Sequence, residues 1–202
     1  MSAVEAAEQA ATRPTNYFYQ GDWPGGDYTF FQTAWIVDDL FAAMRRWTTV
    51  YGVGPFLVLP KRSQLVDYRG EEIELEIQLA VSQSGPVQLE LIQQFSDRPS
   101  VYREIFGDRP GGFHHVCTIS KAFEETKAHY ESLGYPSIAR IKGPMKVEYF
   151  DTFKDFGHIT ELAEYSPEFF GAHVRNAEIC KTWDGTDPIR MLTRGGYRLP
   201  ES

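Results

Sequence analysis

Hydrophobic and polar positions along the chain fall into blocks whose period switches between two residues and about 3.6. Residues 29–37, TFFQTAWIV, are β-branched and aromatic with no breaker and predict a strand. Asp38 or Asp39 can cap the helix that follows over 40–51, where Leu40, Ala43, Met44 and Trp47 recur at helical spacing. Gly52 to Pro55 ends it, because Gly permits the left-handed cap and Pro cannot continue a helix. A short strand is predicted over 56–59. Ile73, Leu75, Ile77 and Leu79 alternate with Glu74, Glu76 and Gln78, predicting a half-buried strand over 72–82, and Ser84-Gly85-Pro86 turns the chain into another over 87–95. Residues 97–110 read as a polar connection with a short helical piece at 101–106. A strand over 113–119 and a helix over 122–133, stopped by Gly134 and Pro136, then repeat the opening order. Strands follow at 137–141, 146–152 and 158–165, then a helix over 167–180 and an irregular, Gly-rich end.

The two halves overlay. FQTAWIVDDLFAAMRRWTTVYGVGP matches HHVCTISKAFEETKAHYESLGYPSI in strand, helix and glycine stop, with an offset of about 80 residues. Each half reads βαβββ, a unit too small to bury its own sheet face, so two must pack together. The divisions are an N-terminal arm and lead-in at 1–28, a first module at 29–96, a linker at 97–112, a second module at 113–165 and a C-terminal helix and tail at 166–202.

Composition narrows the function classes. A 42% hydrophobic and 24% charged chain is ordinary for a globular protein, and a formal net charge of −8 excludes nucleic acid as the main partner. Lys142, Lys146 and Lys154 form one local basic cluster, which reads first as a solvated face. No stretch approaches the roughly 20 apolar residues of a membrane span, and the Ala- and Glu-rich start lacks the pattern of a signal peptide. Two cysteines, Cys117 and Cys180, make no disulfide framework and fit a reducing cytoplasm.

Candidate chemistry comes from the overlay. Strand alternation sends His114 and His115 to opposite faces, with His115 toward the site and His114 toward the helices. Gln32 falls on His115. VQLELIQ at 87–93 falls on HITELAE at 158–164, which puts Glu90 on Glu161. Each half thus offers one residue from its first strand and one carboxylate from its last. Such nitrogen and oxygen donors suit Zn²⁺, Mn²⁺, Ni²⁺, Co²⁺ or Fe²⁺.

The Val37-Asp38-Asp39-Leu40 start, the Phe113-His114-His115-Val116 strand, Tyr149-Phe150-Asp151-Thr152 and Gly157 to Glu161 together resemble the vicinal oxygen chelate superfamily, the glyoxalase/bleomycin-resistance/dioxygenase proteins, over most of 29–165. The nearest branches are the glyoxalase I-like and methylmalonyl-CoA epimerase-like ones. The resemblance implies an α+β fold in which two βαβββ modules form a cupped, barrel-like mixed sheet with helices outside. It implies one divalent metal held by Gln32, Glu90, His115 and Glu161, and frequent homodimers. The epimerase branch more often has His at the first position and Gln at the second, so this chain departs from it at both. Extradiol dioxygenases need two His and one Glu, a set that Gln32 breaks.

The implied activity is that of an isomerase, epimerase or lyase. Metal-stabilised enolate formation next to a carbonyl of a small organic molecule is coupled to proton transfer by Glu161 or, second, Glu90. His158, Tyr149 and Asp151 are lesser candidates. Aromatics make up 14% of the chain. Those at Phe31, Trp35, Tyr149, Phe150, Phe153 and Phe156 suggest a cup suited to an aromatic or apolar substrate. The competing expectation is a metal-free binding protein of the bleomycin-resistance type. Trp183 and Tyr197 are expected to dock the tail.

Overall fold

The structure, a computed structural model, describes residues 30–85 and 87–201. The arm and lead-in at 1–28 lie outside the described residues. Strand β1 (Gln32–Ile36) pairs with β5 (Val87–Gln94) on one side, in parallel, and with β6 (Gly112–Ser120) on the other, antiparallel. Between them run helix α1 (Leu40–Tyr51) and strands β2 (Phe56–Val58), β3 (Arg62–Tyr68) and β4 (Glu71–Ser84). The second half continues with α2 (Phe123–Ser132), β7 (Ser137–Ile141), β8 (Val147–Phe150), the short α3 (Phe153–Phe156) and β9 (Ile159–Glu164). The chain ends in α4 (Pro167–Lys181), β10 (Ile189–Thr193) and β11 (Gly196–Arg198).

Local chemistry explains the elements. At the start of α1 the Asp39 carboxylate accepts from the Ala42 N–H, and at its end Gly52 sits at φ 66° with its N–H on the Thr48 carbonyl. Leu40 and Met44 face the sheet and pack with Phe56, Val58, Leu89 and Leu91. Full burial of such side chains stabilises by about 1.5–3 kcal/mol each. Helix α2 seals the other half through Phe123, against Phe150 and Leu162.

Strands β1, β5, β4, β3, β7, β8, β9 and β6 close on themselves in that order, the last returning to β1. This is the expected α+β architecture of two modules with helices outside, closed within one chain by the β3–β7 pairing. Strand β3 was not expected. Its sequence, RSQLVDY, fully buries only Val66 and so carries almost no hydrophobic signal. It lies on the same edge of β4 as β2, in nearly continuous register, so the two act as one interrupted strand and the βαβββ order survives.

The barrel interior holds the larger core, with Ala34, Ile36, Ile77, Ile92, Cys117, Ile119, Tyr149 and Ala163. The connection at 97–112 is not a polar surface linker. Its Val101, Tyr102 and Phe106 are buried in that interior core, on a run of turns rather than a regular helix. Gln94 ties the entry to this plug. Its side-chain amide donates to the Ser96 and Arg98 carbonyls and its oxygen accepts from the Ser100 hydroxyl. At the exit, Gly111 lets the chain pass so close to β1 that an added Cβ would stand 2.2 Å from the Ile36 carbonyl oxygen.

The tail is ordered where an irregular end was expected. Ser166 caps α4 by accepting from the Phe169 N–H, and α4 lies against β4. Strand β10 joins β2 in parallel and hairpins into β11. The Trp183 ring stacks where a Cβ on Gly54 would be, 2.7 Å from its nearest atoms, and so docks the tail, while Tyr197 stays exposed beneath Arg190. Among the described residues no helix is long and apolar enough to cross a membrane.

Candidate metal centre

The pairing register puts the expected site residues in two adjacent rows on the inner face of the barrel. One row runs Glu90, Ala34, His115, Ile159 across β5, β1, β6 and β9. The next runs Gln88, Gln32, Cys117, Glu161. Glu90 stands opposite Ala34 and Glu161 opposite Cys117, equivalent places when Gln32 is laid on His115. Ala34 between Glu90 and His115 has no side chain beyond Cβ, so the Glu90 carboxylate reaches across it. The His115 Nε2 lies 3.7 Å from Glu90 Oε2 and 3.2 Å from Glu161 Oε2. All these residues come from one chain and all are buried.

His114 departs from the expectation. Ala34 pairs with His115 and Trp35 with Phe113, so His114 is the extra residue of a β-bulge on β6. Alternation fails at a bulge, and His114 turns inward with His115 instead of toward the helices. It packs among Tyr102, Phe106 and Tyr149. Its Nε2 lies 2.8 Å from the Val101 carbonyl oxygen and its Nδ1 2.8 Å from the Nδ1 of His115.

These contacts fix both tautomers. A carbonyl only accepts, so His114 carries its proton on Nε2, and its bare Nδ1 accepts the Nδ1–H of His115. The His115 Nε2 is then left with a lone pair and no hydrogen-bond partner, in a fully buried position between two carboxylates. Burial holds both rings neutral, His114 down to about 4 and His115 well below its ordinary value, where His114 and His158 add to the effect.

The carboxylates differ. Burial, then the neighbouring Glu161 charge, raises Glu90 to about 8 against the opposing pull of Arg62. Burial also raises Glu161, but hydrogen bonds from Cys117 and Tyr149 work the other way. The Cys117 thiol donates to Glu161 Oε1 at 3.0 Å. The Tyr149 hydroxyl also lies 3.3 Å from that of Tyr102, and burial raises both phenols above their usual range. Gln32 donates its amide to Gln88 at 2.7 Å.

Only part of this set faces outward. Gln32, Gln88 and Glu90 line a groove of about 760 Å³ that opens between β4 and α4, with Arg62, Phe169, His173 and Arg175 among its other walls. His115 and Glu161 lie deeper.

Tyr149 belongs to the centre. His158 sits half-buried between Phe113 and Phe156, and Asp151 pairs with Arg69 at the surface. Of the aromatics expected to wall the cup, Phe31 and Tyr149 are inside. Trp35 packs with the α1 layer, Phe150 packs with the α2 layer, and Phe153 and Phe156 are exposed. Lys142 pairs with Asp67 and Glu72, and Lys146 with Glu124, so those lysines form no phosphate cradle. Sequence reasoning missed Tyr102, because the linker looked polar, and the orienting role of His114, because a bulge leaves no mark in the alternation.

Among the described residues, no group of three or more His, Cys, Asp or Glu side chains is arranged to hold a metal ion as it stands. Two of the expected donors are nonetheless spaced as one ion requires. Donors bound at about 2.1 Å to one divalent ion stand about 3.0–3.4 Å apart. From His115, Glu161 meets this at 3.2 Å, whereas Glu90 at 3.7 Å stands beyond it.

Comparison with known proteins bears on the family. No curated protein sequence matches the chain. Methylmalonyl-CoA epimerase from Mycobacterium tuberculosis is similar in fold at 15% identity and a TM-score of 0.49, with 71% of this chain and 91% of that one covered. A hypothetical protein from Bacillus halodurans C-125 has 16% identity and a TM-score of 0.49, covering 68% and 94%. A Streptomyces coelicolor methylmalonyl-CoA epimerase complex has 14% and 0.48, covering 68% and 94%. Likeness at this level carries no reaction or substrate across. The family model described as glyoxalase/bleomycin resistance protein/dioxygenase superfamily matches residues 31–149, more than half of the chain. With its closed pair of βαβββ modules, this chain belongs to the glyoxalase/bleomycin resistance protein/dioxygenase superfamily.

Proposed function

We propose that the protein is a divalent-metal-dependent isomerase, epimerase or lyase acting on a carbon acid next to a carbonyl, with His115, Glu161, Glu90 and Gln32 as the metal-holding set. One observation carries the reading. A neutral, fully buried imidazole nitrogen with no partner is aimed between two buried carboxylates. A lone pair facing acceptors in a low-dielectric interior is unfavourable unless a cation or a proton stands between them.

When bound, a divalent ion supplies Lewis-acid polarisation of the carbonyl. The chain's residues do the rest. Glu90 is our first choice for moving the proton, ahead of Glu161, because it lines the groove. Glu161 is held in place by Cys117 and Tyr149. His114 orients His115. Tyr102 and Tyr149 fill the floor and keep water out.

Elemental analysis of purified protein should find close to one divalent metal per chain, most of it lost in His115→Ala and Glu161→Ala. A true substrate should exchange its α-hydrogen in deuterated water. Protein that never takes up metal, or turnover without wash-in or an isotope effect at that carbon, would overturn the proposal. The second reading is a metal-free binding protein. It is favoured by the lack of a ready-made three-donor cluster among the described residues and by the spacious groove, and metal-independent ligand binding without exchange would establish it.

A further inference from the structure

The groove leading to Glu90 has two kinds of surface. Its walls are apolar, with Leu57, Leu79, Val81, Phe169, Ile179 and Leu192. It also carries three arginines from separate elements: Arg62 at the start of β3, Arg175 on α4 and Arg194 in the turn after β10.

Some of the other cations among the described residues are neutralised locally. Lys61, Arg69, Lys127, Arg140, Lys142 and Lys146 all pair with carboxylates. Arg62, Arg175 and Arg194 make no salt bridge among the described residues, although the chain has 28 acidic residues against 20 basic ones. Glu90 is the one acid lining the groove, at its inner end beside Gln32 and Gln88.

Register places Arg62 and Arg194 at the same end. Met191 on β10 pairs with Val58 on β2, so the residues after each run on together. Arg175 and Arg194, with Phe169, Ile179 and Leu192, belong to the C-terminal segment beyond the family-matched 31–149. An element outside the family core thus builds one side of the groove and brings two of its three arginines. A planar guanidinium fork matches an oxyanion through paired N–H donors, and three such forks against the single Glu90 carboxylate, which feels Arg62, leave a net positive rim over an apolar channel.

We propose that this groove takes an amphiphilic organic anion, with its apolar body along the wall between β4 and α4, its terminal oxyanion on Arg62, Arg175 and Arg194, and its other end toward Glu90 and Gln32. This names a substrate class for the site and rests on the metal-centre reading. The groove's volume of about 760 Å³ suits a body of drug or medium-chain size rather than a two- or three-carbon acid.

The test is binding, not turnover. The chelator-treated full chain is titrated by calorimetry with decanoate, decyl phosphate and decanamide at low and moderate salt. At least one anion should bind 10-fold or more tighter than the amide, and salt should weaken the anions alone. The double variant Arg175→Gln/Arg194→Gln should lose roughly 10-fold of the anion's affinity and little of the amide's. Arg46→Gln, exposed on α1, should change nothing. These arginines are exposed, so the variants should keep the fold, as circular dichroism will report. Whichever anion binds tighter identifies the headgroup. An amide bound as tightly as both anions, no binding of any of the three, or a double variant with unchanged anion affinity overturns the inference. Neither metal nor proton transfer is read, so failure here leaves the exchange result standing, and failure of exchange leaves this one.

Discussion

Replacing His114 by Phe tests the histidine relay directly. A phenyl ring keeps the bulk of a residue packed between Tyr102, Phe106 and Tyr149 but removes both nitrogens. Two buried groups lose partners. They are the Val101 carbonyl and the Nδ1–H of His115, each now bonded at 2.8 Å. Each orphaned buried group costs about 1–3 kcal/mol. Better apolar packing of the phenyl ring offsets part of this, so a net destabilisation of about 2–4 kcal/mol is expected. The larger effect falls on the metal. With no acceptor at Nδ1, His115 moves its proton to Nε2, where it can donate to Glu161 Oε2, 3.2 Å away. The lone pair that faced the carboxylates disappears. Loss of an outer partner of this kind typically lowers metal affinity 10- to 100-fold. Calorimetric titration of Zn²⁺ or Mn²⁺ into chelator-treated protein measures the affinity, and nitrogen-15 imidazole spectra report which His115 nitrogen carries the proton. His114→Asn, whose side-chain oxygen can still accept, should recover part of the loss. Affinity within twofold of wild type, with His115 Nε2 still unprotonated, would refute the relay.

Two further changes probe the surroundings. His173, buried against Phe31 and Phe169, has its pKa lowered to about 4 by burial, so it is neutral in the fold and protonated in the unfolded chain below about pH 6.5. Its contribution is intact above pH 6.5 and is lost as pH falls toward 4. At pH 5 the loss is about 2 kcal/mol, so His173→Phe should shrink the wild type's stability difference between pH 7 and pH 5 by that amount in denaturant melts. An unchanged difference removes His173 from the acid sensitivity. Ala34→Leu fills the space between Glu90 and His115 in a fully buried position. It should destabilise by about 1–3 kcal/mol and abolish metal uptake in protein that still folds, whereas stoichiometric metal in that variant would place the ion elsewhere.

The fold was legible because each half states it separately. Leu40 and Met44 recur at helical spacing, and Ile73 to Leu79 alternate at strand spacing. The inward placement of Glu90, His115, Cys117 and Glu161 follows from that same alternation. Four things were not legible. Strand β3 is held by ladder bonds between polar residues, which hydropathy does not report. The plug at Val101, Tyr102 and Phe106 is flanked in sequence by the exposed Asp97, Arg98 and Arg103 and by the half-buried Glu104, whose polarity masks it. The inward turn of His114 depends on a mismatch of register with β1, a property of two strands at once. The arginines of the groove are scattered over more than 130 positions from Arg62 to Arg194, and only the docking of the C-terminal segment makes them neighbours.

Closing the barrel also decides how the molecule meets its own kind. Strands that close a ring lend their backbone groups to each other, so most of the sheet offers no template to another chain. What continues outward past β2 ends in β11, three exposed residues long and carrying Arg198. A short, charged rim is a poor nucleus for strand addition or fibril growth, and this sheet therefore ends in a form that discourages polymerisation.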